Sequence, residues 1–124
     1  MKPALVAVAQ IGDKLYTSLQ AAIDEAQDGD TIVLQNDIIT DATFTIADGI
    51  NITLDMNGKK ITATDKKGAK TCYEIFYIYG GMVVTGNGTI ELTAETNRGW
   101  DASSSIFHNR GGVLVIENGT FTHK

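Results

Sequence analysis

The chain has 124 residues, 43% apolar and 20% charged, with a formal net charge of −5. That length is one domain with a small core, and the acidic balance, with no basic run longer than the pairs Lys59-Lys60 and Lys66-Lys67, excludes nucleic-acid binding through phosphates. The single cysteine, Cys72, excludes an internal disulfide, and 13 glycines against one proline suit turns that need a positive φ.

The opening MKPALVAVAQIGDK is too short for a spanning helix and runs on into folded-looking sequence, so neither a membrane span nor a signal peptide is expected. Synthesis in the cytoplasm, or origin as a piece of a longer β-helix, is the expectation. Residues 4–11 read as a strand, with a turn at Asp13-Lys14. Thr17 or Ser18 can cap a helix over about 18–27, in which Leu19, Ala22, Ile23 and Ala26 share one face. Gly29 suits the left-handed position after it. From there the pattern is strands and turns: 31–35, 44–47, 51–56, 60–62, 74–79, 82–85, 89–93, 105–108, 113–117 and 120–122. Two insertions, 63–73 and 94–104, interrupt it at corresponding places. Cys72, in the first of them, reads as a small buried hydrophobe.

Three phrases repeat: INITLDMNGKKI (50–61), GMVVTGNGTIEL (81–92) and GVLVIENGTFT (112–122). The glycines of their Asn-Gly pairs, Gly58, Gly88 and Gly119, lie 30 and 31 residues apart. Ile75-Phe76 to Gly80-Gly81 repeats as Ile106-Phe107 to Gly111-Gly112, 31 residues on. A fixed period in the range of roughly 20–50 residues marks a repeat architecture. The expected fold is all-β: a right-handed parallel β-helix of about four coils over 31–124, with residues 1–30 supplying a strand and an amphipathic helix that caps the N-terminal end.

The stretch LQAAIDEAQDGDTIVL (19–34) resembles the N-terminal entry of the pectate-lyase-like β-helix superfamily, in which a Leu-Gln-x-Ala-Ile-x-x-Ala helix and a glycine turn precede the first coil strand. The resemblance covers about residues 5–35. It implies a family that holds polysaccharide lyases and hydrolases, phage tailspikes and head fibres, and adhesins, and so does not choose a function. It also implies an asparagine ladder, for which Asn57, Asn87 and Asn118 are the candidates. Asn tolerates the left-handed conformation, and its amide can both donate and accept. Three independent Asn-Gly turns are the alternative.

Catalytic signals are sparse. Positions equivalent to Asp55 and to Glu91 in the neighbouring repeats are not acidic, and these two form the one carboxylate pair worth naming. No metal-ligand spacing exists, and His108 reads as a structural residue in a strand. No enzyme activity, cofactor or metal is expected. The Asn-x-Thr strings at Asn51, Asn87 and Asn118 are by-products of repeated turns.

Aromatic residues cluster in the middle. Phe76 and Phe107 occupy equivalent places and are expected to stack in the core. Tyr77 and Tyr79 face the other way, and Trp100 sits in an insertion; these three are the candidate binding residues. Ile52, Leu54, Met82, Val84, Val113 and Val115 are expected to point inward. The outward series Thr53–Val83–Leu114 and Asp55–Thr85–Ile116 then exposes Leu114 and Ile116, with Val83, as an oligomer interface. A one-residue slip would turn Leu114 and Ile116 inward instead.

The function expected from these features is a structural virion component, a phage fibre or capsid-decorating protein, self-associating as a trimer and touching other virion proteins. The alternative is a carbohydrate- or host-binding module of a bacterial cell-surface protein. No nucleic-acid or membrane partner is expected.

Overall fold

A computed structural model describes residues 6–65, 73–94 and 104–123. The chain opens with an antiparallel hairpin of β1 (Ala9–Ile11) and β2 (Lys14–Tyr16), turning at Gly12 with φ of 55°. Helix α1 (Leu19–Glu25) follows. Ser18 caps it in extended conformation, its Oγ accepting the Ala21 N–H at 3.1 Å. Leu19, Ala22 and Ile23 are its buried face, set against the hairpin and β5.

The remaining strands come in successive triplets. These are β3 (Thr31–Leu34), β4 (Ile38–Thr40) and β5 (Phe44–Ile46), then β6 (Asn51–Asp55), β7 (Lys60–Asp65) and β8 (Tyr73–Ile78). Next come β9 (Gly81–Thr85), β10 (Thr89–Ala94) and β11 (Ser104–Asn109), and last β12 (Val113–Ile116) and β13 (Thr120–His123). From β6 on, each strand pairs in parallel with the strand three places before it.

The result is three sheets: a six-stranded one in the order β12-β9-β6-β3-β1-β2, a four-stranded one β13-β10-β7-β4, and a three-stranded one β11-β8-β5. This corrects the expected fold class. Among the described residues the protein is mostly β, with one short helix and separate sheets of unequal size, and its largest sheet is mixed; it is not the uniform right-handed parallel β-helix of four coils with a helical cap. The physical reason lies at the start of the chain. The free edge of β3 is taken by β1 in antiparallel register, Ala9 opposite Leu34 and Gln10 opposite Val33, so a hairpin satisfies those backbone groups rather than the helix. The helix is also shorter than expected, seven residues, because Ala26 turns extended and Asp30 Oδ2 accepts the Gln27 N–H. Strands β2 and β4 were not foreseen from the sequence.

Strand alternation builds the core. Ile32, Leu34, Ile52, Leu54, Met82 and Val84 come from the first sheet. Ile61, Ala63, Ile90 and Leu92 come from the second, and Phe44, Ile46, Phe76 and Ile78 from the third; all are buried. Each large apolar side chain among them contributes about 1.5–3 kcal/mol by leaving water. Phe76 lies between Phe44 and Phe107, with ring centroids 5.6 Å from each, and its stack on Phe107 has an interplanar angle of 21°. Tyr73, also buried, spends its hydroxyl on the Ala42 carbonyl at 2.8 Å, tying β8 to the turn before β5.

Candidate interaction surfaces

Two surfaces stand out, and both are set by the last strands. The first is the outer face of the β5–β8–β11 sheet. Tyr77 pairs with Thr45 on one side and His108 on the other, so these side chains form an outward row. The Tyr77 ring lies 5.2 Å from that of Tyr79 and 4.8 Å from that of His108. Arg110 lies just past β11. Its guanidinium sits 5.8 Å from the Tyr77 ring centroid, and its Nη1 donates to the Tyr77 hydroxyl at 3.1 Å. Glu74 Oε1 holds His108 Nδ1 at 3.2 Å. Tyr79 is 41% exposed. Tyr77 and Tyr79 therefore do share a surface, as expected; Trp100, the third candidate, lies outside the described residues.

Sequence reasoning missed Arg110 and Glu74 here and read His108 as purely structural. The signal was available. Aligned at the 31-residue offset, Tyr77-Ile78-Tyr79 stands over His108-Asn109-Arg110, so a repeat that brings two tyrosines to one face brings a histidine and an arginine beside them.

The second surface is the layer of β11, β12 and β13. Each of these strands has a sheet partner on one side only among the described residues. The register is Val113 opposite Gly81, Leu114 opposite Met82, Val115 opposite Val83 and Ile116 opposite Val84. Met82 and Val84 are buried, so Leu114 and Ile116 stand above the core, and Val113 and Val115 face outward. The expectation that Val113 and Val115 point inward, with Leu114 and Ile116 outward, is thus corrected by one residue. The cause is turn length. Tyr79-Gly80 links β8 to β9 with two residues, whereas Arg110-Gly111-Gly112 links β11 to β12 with three. With a side-chain period of two, one extra residue exchanges the faces. Val83 is outward as expected and half-buried, and with Asn51, Thr53, Gly81, Val113 and Val115 it lines a shallow cleft of about 170 Å³. Ile116 remains 46% exposed, Val113 63% and Val115 44%.

The three Asn-Gly turns do not share one geometry. Asn57 and Asn87 are left-handed, with φ of 52° and 56°. Asn57 Nδ2 donates to the Leu34 carbonyl at 3.0 Å, and Asn118 Oδ1 accepts the Asn87 N–H at 2.6 Å. Side chains thus bond to backbone in the neighbouring layer. Among the described residues Asn57, Asn87 and Asn118 form no side-chain-to-side-chain ladder.

The carboxylates are otherwise engaged. Asp55 and Glu91 stand on different sheets; Asp55 Oδ1 accepts the Asn57 N–H at 2.9 Å, and Glu91 pairs with Lys60 at 3.4 Å. Asp28 Oδ1 accepts both the Asn51 side-chain amide at 2.8 Å and the Asn51 N–H at 2.9 Å, and these bonds hold its carboxyl below the ordinary 3.8. Among the described residues no three His, Cys, Asp or Glu side chains converge to hold a metal ion, and no helix is long and apolar enough to cross a membrane.

In comparisons with models of known families, with curated proteins and with solved structures, the chain matches none, so the resemblance of residues 19–34 to a superfamily rests on those residues alone.

Proposed function

We propose that the protein is a non-catalytic structural component that works by self-association, in a virion as a fibre or capsid-decorating subunit. One observation carries the reading. Leu114, Phe107 and Phe121 are only partly buried, whereas their partners one strand below, Met82, Phe76 and Ile90, are 0–1% exposed. Among the described residues nothing covers the core-like layer of β11, β12 and β13, and its strand edges invite pairing. A second copy docked on that layer supplies both. Such a contact is two-fold and closes on itself, so a dimer is the number it favours; the trimer expected from the sequence needs contacts along the flank instead.

Sedimentation of the purified chain tests this. A dimer that dissociates when Leu114 and Ile116 are both changed to Thr supports it, and a wild-type monomer at high concentration overturns it.

The second reading is a carbohydrate- or host-binding module at a bacterial cell surface. It is favoured by the solvent-facing Tyr77–Tyr79 pair, which an assembly role leaves without a purpose.

A further inference from the structure

We propose that the outer face of the β5–β8–β11 sheet binds an anionic saccharide, with the sugar ring stacked on Tyr79 and Tyr77 and its acid group held by Arg110. This deepens the second reading above and does not depend on the self-association of the last layer.

Tyr77 in β8 and Tyr79 in the turn just after it face the same side, rings 5.2 Å apart and inclined at 47°. Thr45 occupies the equivalent outward place one strand below, which shows that a small polar residue satisfies the same position. The tyrosines instead keep aromatic surface in water, and aromatic faces of this kind are where the C–H face of a sugar ring rests.

Arg110 adds charge to that platform. Among the described residues its guanidinium makes one hydrogen bond, to a neutral partner, the Tyr77 hydroxyl, and forms no ion pair. A guanidinium carries five N–H donors in a fixed fork, suited to two oxygens of one oxyanion. Stacking beside Tyr77 fixes the side chain before any ligand arrives, so little of its conformational freedom remains to be lost on binding. The contrast with Lys14 and Lys60 is direct: each of those cations is paired with a glutamate. His108 completes the row, held at Nδ1 by Glu74 and packed against Tyr77 at an interplanar angle of 45°, which steadies the ring that the sugar would meet.

An acid group on a sugar is the shared chemistry, and it has two sources: a ring carboxylate or a phosphate ester. A nucleic acid fits poorly, since one fixed arginine on a chain of net charge −5 does not offset a phosphate backbone.

The test is titration calorimetry of the full chain with four probes: a glucuronate trisaccharide, glucose 6-phosphate, a neutral glucose trisaccharide and inorganic phosphate. The expected result is that one or both acidic sugars bind at least about tenfold tighter than the neutral one and than inorganic phosphate, the margin of one charge-assisted hydrogen bond. Which acidic probe wins identifies the source. Arg110→Gln should bring the acidic sugars down to the neutral level, and Tyr79→Thr should weaken all sugars while sparing the acidic preference. Both positions are exposed, and unchanged circular dichroism verifies folding. Equal affinity for acidic and neutral sugars, an acidic preference that survives Arg110→Gln, or no binding of any probe at millimolar concentration each overturns the proposal. None of these results bears on the sedimentation experiment, so the two readings fail separately.

Discussion

Leu114 stands directly opposite Met82 in the β9–β12 ladder, yet Met82 is 1% exposed and Leu114 only partly buried. The difference is neighbours. Met82 has Ile52 on one side and Leu114 on the other; Leu114 has Met82 alone among the described residues. A carboxylate should therefore be tolerated very unequally in the β9 and β12 layers. Val84→Asp, at a fully buried position, should cost several kcal/mol, on the order of the whole stability of a small domain. Leu114→Asp should cost about 1 kcal/mol, because water reaches it. Urea unfolding of the two variants at low protein concentration checks this, and equal losses would contradict the layer order.

The Asn-Gly turns should separate by what each side chain does. At Asn57 a left-handed backbone and a bond to the Leu34 carbonyl coincide. Asn57→Gly keeps the backbone and loses the bond, costing about 1 kcal/mol. Asn57→Ala loses both and should cost about 2 kcal/mol. Asn87 takes part through its backbone N–H, so Asn87→Gly should stay within about 0.5 kcal/mol of wild type. Thermal melts of the three variants give the ranking.

Two adjacent glycines should respond differently to alanine. Gly111 has φ of 88° and open space around it, so Gly111→Ala carries backbone strain alone, roughly 1–2 kcal/mol. A Cβ on Gly112 would run into the backbone carbonyl oxygen of Gly80, which cannot swing aside as a side chain can. Gly112→Ala should cost more, about 3 kcal/mol, and should also disturb the approach of Arg110 to Tyr77. A smaller loss at Gly112 than at Gly111 in chemical denaturation would contradict the close packing of these turns.

Asp28 gives a pH signature. Its carboxyl is lowered by the side-chain and then the backbone hydrogen bond from Asn51, so the unfolded chain takes up its proton first as pH falls. The stabilisation is fully present above the ordinary value of 3.8 and is lost as pH falls through the lowered folded value. The stability difference between wild type and Asp28→Ala should be constant from neutral pH down to about 4 and shrink below it. A difference that grows on acidification would reverse the sign of this linkage.

Much of the local structure is legible in the residues themselves. Alternation marks Ile52 and Leu54 as buried, the Leu19, Ala22 and Ile23 spacing marks the helix face, Ser18 marks its cap, and the 31-residue offset places Phe76 over Phe107. These follow from periods that are properties of a single strand or helix. The parts that sequence alone did not decide are relations between elements. Whether Leu114 or Val115 lies over the core depends on one extra residue in the turn at Arg110–Gly112, and a period of two turns that single residue into an exchange of faces. Whether the edge of β3 is covered by a helix or a hairpin depends on a pairing of Ala9 with Leu34 that spans 25 residues. The Tyr77–Arg110 contact likewise joins two residues 33 apart, one in β8 and one in the turn after β11. Each strand's own alternation is indifferent to such choices; turn lengths and the free energy of closing unsatisfied backbone edges make them.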